Sequence, residues 1–200
     1  MTNLYISWVV SAVVLIAAAV WIGKVARNKA FGIFVDDRGR FSLSQFQVVL
    51  WTIVVLSLIM GTFFARWLSG VNNPLSFTIP NEILIVMGIS IGSTATAGAI
   101  KASKDLKPVT IKGKDNPKFS QIFLTEEGSG TSDTIDVTKF QNFWLTLIVI
   151  IAYILTVITA IAKTGVSGTD FALPSIGGTM LALLGISHAG YIAGKLPDKK

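Results

Sequence analysis

The chain has no cysteine and very little charge. Its 200 residues include 0 Cys, 1 His and only 14% charged side chains, whereas an ordinary soluble domain carries roughly a quarter. The lack of cysteine excludes disulfides, thiolate metal sites, iron–sulfur clusters and thiol nucleophiles. Because 52% of the residues are hydrophobic, the composition excludes an ordinary soluble domain and predicts a membrane protein.

Hydrophobic residues are concentrated in five stretches. Each is close to the ~20 residues that a helix needs to cross ~30 Å of hydrocarbon. The stretches are Leu4–Gly23, Phe46–Leu68, Ile83–Ile100, Phe143–Ala162 and Ile176–Ala193. They predict an all-α integral membrane protein with five transmembrane helices. Basic residues follow the first stretch and none precedes it, so we interpret it as a retained anchor and not as a secretory signal.

The basic residues predict the orientation. If successive stretches alternate direction, all but two of the 17 basic residues, Arg66 and Lys163, fall on one side. The positive-inside rule makes that side cytoplasmic, with the N-terminus outside and the C-terminus inside. The net charge of +6 then follows from topology, so no nucleic-acid partner is implied. We expect the basic face to attract anionic lipids.

Two parts of the chain resemble each other. Ser42-Leu43-Ser44-Gln45-Phe46-Gln47 recurs as Asp136-Val137-Thr138-Lys139-Phe140-Gln141, and shorter matches lie on either side of both copies. Each copy of this motif begins a longer unit that contains two hydrophobic stretches. An even number of crossings in each unit predicts parallel repeats related by an axis along the membrane normal. The predicted organisation is an anchor with a basic segment at 1–30, a first repeat at 31–104, a connector at 105–118 and a second repeat with a basic tail at 119–200.

The third and fifth stretches are rich in small residues. In lipid, small residues at four-residue spacing let helices approach closely. We expect the main use to be packing of the two repeats within one chain; packing between subunits and a pore wall are the alternatives. The candidate glycines are Gly88, Gly92, Gly98, Gly185, Gly190 and Gly194.

Polar residues within these two stretches are the other candidates. His188 is the single ionisable group deep in a hydrophobic stretch, where such a group is costly. A proton relay needs at least two titratable groups, so we favour a neutral histidine bonded to a neighbouring hydroxyl or carbonyl. If a pore exists, the polar residues that line it are Ser90, Thr94, Ser187 and His188.

Twin acidic turns precede the two repeats' first helices. Asp36-Asp37 and Glu126-Glu127 supply the oxygen ligands that calcium uses, but no EF-hand spacing is present. We therefore interpret them as solvated turns. Aromatic and basic residues near the ends of the stretches predict anchors at the lipid interface; these are Trp51, Trp67, Trp144, Arg38, Arg40 and Lys139.

No catalytic signature is found in the sequence. It contains no Walker-type phosphate loop, no G-x-S-x-G elbow and no pair of carboxylates within a hydrophobic stretch, so we expect no enzyme, metal or cofactor.

A resemblance to other proteins lies in two motifs, Phe41-Ser42-Leu43-Ser44 with Gln47 and Trp51-Thr52, and Leu181-Ala182-Leu183-Leu184-Gly185-Ile186-Ser187. With these motifs, the sequence resembles a group of bacterial multi-pass membrane proteins with duplicated two-helix repeats and no known activity. The resemblance implies a bacterial inner-membrane location.

Packing motifs outnumber chemical ones in this sequence. We therefore expect a non-enzymatic homo-oligomer that acts as a structural or anchoring module for a cytoplasmic protein partner. The alternative is an oligomeric channel or transporter for ions or small solutes, lined by the third and fifth helices.

Overall fold

The computed structural model describes residues 2–107, 111–113, 116–131, 133–164 and 171–198. These residues form five α-helices and two short 3-10 helices. The α-helices are α1 (Thr2–Arg27), α2 (Leu43–Leu68), α3 (Asn81–Asp105), α4 (Val137–Thr164) and α5 (Gly178–Ala193). The 3-10 helices, Gly32–Phe34 and Phe119–Phe123, lie shortly before α2 and α4.

Four of the helices, α1 to α4, are long and apolar enough to cross a membrane. This agrees with the predicted class of helical, multi-pass membrane protein. The fifth predicted span differs, because α5 has only 16 residues and so extends about 24 Å. Pro174 disfavours helix at the residue before it, and the chain stays non-helical until Gly178. Apolar side chains of this segment, including Phe171 and Leu173, are buried against the bundle.

Helices α2 to α5 form a bundle, with α1 on its outside. Helix α3 packs between α2 and α5, α5 packs against α4, and α2 also contacts α4. The core contains Trp51, Leu58, Ile83, Val157 and Leu184, each no more than 2% exposed. Because hydrophobic burial gives helices in lipid no drive to associate, this core contributes close packing, which holds the bundle by dispersion.

Helix α1 contacts α2 through a close crossing. A Cβ placed on Gly61 would lie 2.6 Å from Cα of Trp8, so only glycine lets the two backbones approach this closely. Beside the crossing, the Trp8 indole N–H donates a hydrogen bond of 3.1 Å to the Ser57 hydroxyl. Most of the rest of α1 is exposed, so its position on the bundle depends on this contact with α2 and on its packing against the 3-10 helix Gly32–Phe34.

The turns that precede α2 and α4 share a hydrogen-bond pattern. The Ser42 N–H donates to Phe34 O, and the Asp136 N–H donates to Phe123 O, each at 2.8 Å. Both turns also contain a glycine with positive φ, 77° at Gly39 and 94° at Gly128, a conformation that residues with a Cβ rarely adopt. The two turns that precede the hairpins therefore have similar local structure.

We expect Gly61→Ala to weaken the fold. The new methyl group would meet backbone atoms of Trp8, which cannot move aside as a flexible side chain would, so we expect destabilisation of about 1–3 kcal/mol. The measurement is unfolding of the purified protein in a detergent titration, with Gly178→Ala as control, because Gly178 has open space around it and no positive φ. Equal stability of Gly61→Ala and the native protein would contradict the close crossing.

Candidate functional site

A buried group of charged side chains lies at the end of the bundle where α2 and α4 begin. Its centre is Glu126, whose carboxylate lies 2.7 Å from Nζ of Lys139, 2.7 Å from Nζ of Lys195 and 2.8 Å from Nζ of Lys101. These lysines belong to α4, to the turn after α5 and to α3. One carboxylate therefore connects three elements of the bundle.

Asp36 and Arg38, in the turn before α2, join this group through Lys101 and Glu127. Glu127 pairs with Lys104 at 2.7 Å and with Arg38 at 3.2 Å. Asp36 pairs with Lys101 at 2.6 Å and accepts the backbone N–H groups of Arg38 and Arg40 at 3.0 Å. We call the acids Asp36, Glu126 and Glu127, with the basic residues Arg38, Arg40, Lys101, Lys104, Lys139 and Lys195, the ionic cluster.

The charge of Glu126 is maintained by its neighbours. Burial alone would raise the pKa of this carboxyl, but the positive charges of Lys139, Lys195 and Lys101 outweigh burial and hold the pKa well below its usual value. At Arg38 burial acts in the opposite direction, and the carboxylates of Asp105, Glu126 and Glu127 raise its pKa in spite of it. Both groups are therefore charged at neutral pH.

The ionic cluster corrects two predictions from the sequence. Of the twin acidic turns, only Asp37 is solvated; Asp36, Glu126 and Glu127 are no more than 9% exposed. The predicted lipid anchors Arg38, Arg40 and Lys139 are buried as well, at 6%, 1% and 2% exposure. The physical reason is that Arg38 and Arg40 reach Glu127 and Thr125 O of the turn before α4, and Lys139 reaches Glu126 of the same turn. The sequence does contain a signal for this cluster, because lysines lie at the ends of α3 and α5 and acids lie in the turns.

The predicted tryptophan anchors divide into two groups. Trp51 is 0% exposed and belongs to the core, so it does not reach the lipid interface. Trp67 and Trp144 are 60% and 45% exposed, which leaves them free to act as interface anchors.

A second polar group lies inside the bundle. The Gln47 amide donates to Thr146 Oγ1 at 2.7 Å and to Asn142 Oδ1 at 3.2 Å. Ser187 donates to the same Asn142 oxygen at 3.2 Å. No sequence pattern predicted a role for Asn142 or Thr146. These bonds connect α2, α4 and α5, so Ser187 has a structural partner.

A groove runs between α3 and α5 on the outside of the bundle. Its volume is ≈ 500 Å³, and it is lined mostly by small residues. The lining contains Gly88, Gly92, Ser93 and Thr96 from α3, and Gly185, His188, Ala189 and Ala193 from α5. The groove is open along the part of the chain that the hydropathy places in the membrane.

The candidate glycines face outward. A Cβ added to Gly88, Gly92, Gly98 or Gly190 would have no atom within 4 Å. Gly185 and Gly194 have only ordinary contacts, at 3.9 Å and 3.5 Å. Close packing of the two repeats within one chain, which we expected from the sequence, is therefore not the use that the structure makes of these glycines.

The remaining polar candidates lie along α3 and α5. His188 is 3% exposed, and its Nδ1 lies 2.8 Å from Ser93 Oγ. The Thr94 hydroxyl donates to the backbone carbonyls of Ser90 and Ser44. Ser90 Oγ is buried without a hydrogen-bond partner. The structure thus brings His188 to the groove and Ser187 to the polar group around Asn142.

Among the residues that the structure describes, no three His, Asp or Glu side chains are placed to hold a metal ion. Comparison with family models, curated proteins and solved structures finds no match. The resemblance to bacterial multi-pass proteins therefore stays a prediction, and the site is interpreted from its own geometry.

We expect Glu126→Gln to be strongly destabilising. It removes the anion shared by Lys101, Lys139 and Lys195, and breaking a buried pair in this way costs about 3–5 kcal/mol. The measurement is denaturant unfolding in detergent, compared with Asp37→Asn, whose side chain is fully exposed. A loss for Glu126→Gln no larger than for Asp37→Asn would count against the cluster.

The low pKa of the Glu126 carboxyl predicts that the stability of the fold depends on pH. This pKa is lower in the folded protein than the ordinary value of 4.5, so the unfolded chain binds a proton before the folded chain does. This contribution to stability is complete above pH 4.5 and is lost as the pH falls from there through the lower folded pKa. Unfolding midpoints measured over this acid range should fall less steeply for Glu126→Gln than for the native protein.

Proposed function

We propose that this protein is a homo-oligomeric membrane scaffold that anchors a cytoplasmic protein partner. In this proposal α1 to α5 cross a bacterial inner membrane, with the N-terminus outside and the ionic cluster on the cytoplasmic side. Four apolar helices of spanning length support a multi-pass arrangement. The shorter α5 crosses with the help of the buried segment that precedes it.

The open groove between α3 and α5 carries the proposal. Gly88 and Gly92 line this groove with nothing beside them, and Gly185 and Ala189 line its α5 side, which leaves both helices accessible to another helix. In lipid, such small-residue surfaces associate through close backbone approach, dispersion and weak hydrogen bonds. Since the glycines are not used inside the chain, a second copy is the natural neighbour for this face.

The ionic cluster supports the anchoring role. It connects α3, α4 and the turn after α5 through buried pairs, which gives the cytoplasmic end a defined shape for a protein partner. Among the described residues, the exposed cations without an ion pair at that end are available to anionic lipids. They include Lys24, Lys29 and Lys118.

A channel or small transporter is the second candidate. The observation that favours it is the polar content of the groove, where His188, Ser93 and Thr96 lie among small residues. If the grooves of several copies face a common axis, these side chains line a path. Ion or solute flux into liposomes that disappears in His188→Ala would support this function, whereas no flux for any tested species would remove it.

We expect Gly92→Leu to break the oligomer and leave the monomer folded. The chain has open space for the new side chain, but leucine would push a second copy away and weaken association by about 1–3 kcal/mol. The measurement is the mass distribution in nanodiscs or mild detergent over a range of protein-to-lipid ratios, with circular dichroism to check the fold.

The matched control is Ala152→Leu, which adds the same bulk on the exposed surface of α4. An unchanged mass distribution in Gly92→Leu would place the interface elsewhere. A monomer at every ratio for the native protein would remove the proposed function itself.

A further inference from the structure

The groove between α3 and α5 contains two polar atoms without a hydrogen-bond partner. One is Nε2 of His188, and the other is the hydroxyl oxygen of Thr96; both residues line the groove. Within the described residues, His188 bonds only through Nδ1, and Thr96 makes no side-chain hydrogen bond. Unsatisfied polar groups are costly in hydrocarbon, so both atoms require partners from outside the chain.

The contacts of Ser93 indicate which nitrogen of His188 carries the proton. Ser93 Oγ lies 3.1 Å from Ser90 O and 2.8 Å from His188 Nδ1, and its hydroxyl has a single proton. Both contacts are hydrogen bonds when Ser93 donates to Ser90 O and His188 carries its proton on Nδ1. A neutral imidazole with its proton on Nδ1 carries a lone pair on Nε2. His188 is 97% buried at the floor of the groove and offers one acceptor there.

Thr96 supplies the complementary donor. Several threonines in the apolar helices use their hydroxyls inside their own helix, as in the bond from Thr156 to Ala152 O at 2.8 Å and from Thr159 to Leu155 O at 2.9 Å. Thr96 does not, and its side chain is exposed. It lies one helical turn from Ser93, the residue that holds His188. Donor and acceptor are therefore at nearly the same depth along the bundle.

We propose that two copies pair through this groove, with the Thr96 hydroxyl of one copy donating to Nε2 of His188 in the other. The inference rests on the proposed homo-oligomer and names its contact. A two-fold axis along the membrane normal keeps equal depths opposite each other and makes the contact reciprocal, so each pair forms two such bonds. Gly88 and Gly92 are open on the α3 side, and Gly185 on the α5 side has only an ordinary contact at 3.9 Å, so the groove permits the close approach that a hydrogen bond requires.

The first test compares threonine variants. Thr96→Val keeps the shape and removes both interchain bonds, and at typical strengths for hydrogen bonds between membrane helices the dimer should dissociate about five- to tenfold more readily. Thr96→Ser keeps the hydroxyl and should restore most of the association. Thr156→Val is the matched control, because that hydroxyl is already bonded within α4. The readout is the monomer–dimer equilibrium in liposomes, measured by energy transfer between labelled copies.

A double variant tests the pairing itself. If Thr96 and His188 are partners, Thr96→Val combined with His188→Ala should weaken the dimer no more than the stronger single variant does. Additive losses would show that the two residues act separately and would overturn the pairing.

Cysteine cross-linking locates the face independently, since the native chain has no cysteine. Ala189→Cys lies in the groove, and Ile148→Cys lies on the exposed surface of α4. We expect disulfide-linked dimers in membranes for the first and not for the second. A stable oligomer in which Thr96→Val behaves like Thr156→Val, or in which only Ile148→Cys cross-links, overturns this inference and leaves the oligomer intact. If the native protein is monomeric under every condition tested, both this pairing and the proposed oligomer are overturned.

Discussion

The arrangement of the bundle depends on the pairing of Glu126 with three lysines. In a membrane, hydrophobic burial does not select which helices become neighbours, because lipid tails are as apolar as the helix surfaces. A carboxylate that holds Lys101, Lys139 and Lys195 at 2.7–2.8 Å makes that selection, since any other arrangement leaves buried charge unpaired. Because desolvation offsets much of the attraction in such pairs, we interpret the cluster as fixing the helix order more than adding net stability.

Much of the fold follows from the sequence, for a simple physical reason. A helix that crosses a membrane needs a long apolar run, and composition along the chain shows where such runs lie. The start of α5 was harder to predict, because the predicted apolar stretch Ile176–Ala193 begins two residues before the helix, at Ile176, which is non-helical and buried against the bundle. Hydropathy does not distinguish these two conformations.

The candidate site was only partly predictable. Helix α3 has small residues on nearly all sides around Gly92, so no periodic pattern indicates which face turns outward; only the structure shows that the glycines are open. The ionic cluster was missed because a solvated acidic turn and a buried one have the same local sequence. The partner of His188 is Ser93, which is 95 residues away, and such a contact is not visible in local spacing.

The shortness of α5 has a consequence for the surrounding lipid. At 16 residues, or about 24 Å, it is several ångströms shorter than a typical hydrocarbon core of ~30 Å, and it forms one wall of the groove. If α5 alone faces the lipid at that edge, hydrophobic mismatch of this kind would thin the bilayer locally at a cost that grows with each ångström. In the proposed dimer, two copies would bring their α5 edges together and deform less lipid. The proposed contact would then be stronger in thick membranes than in thin ones.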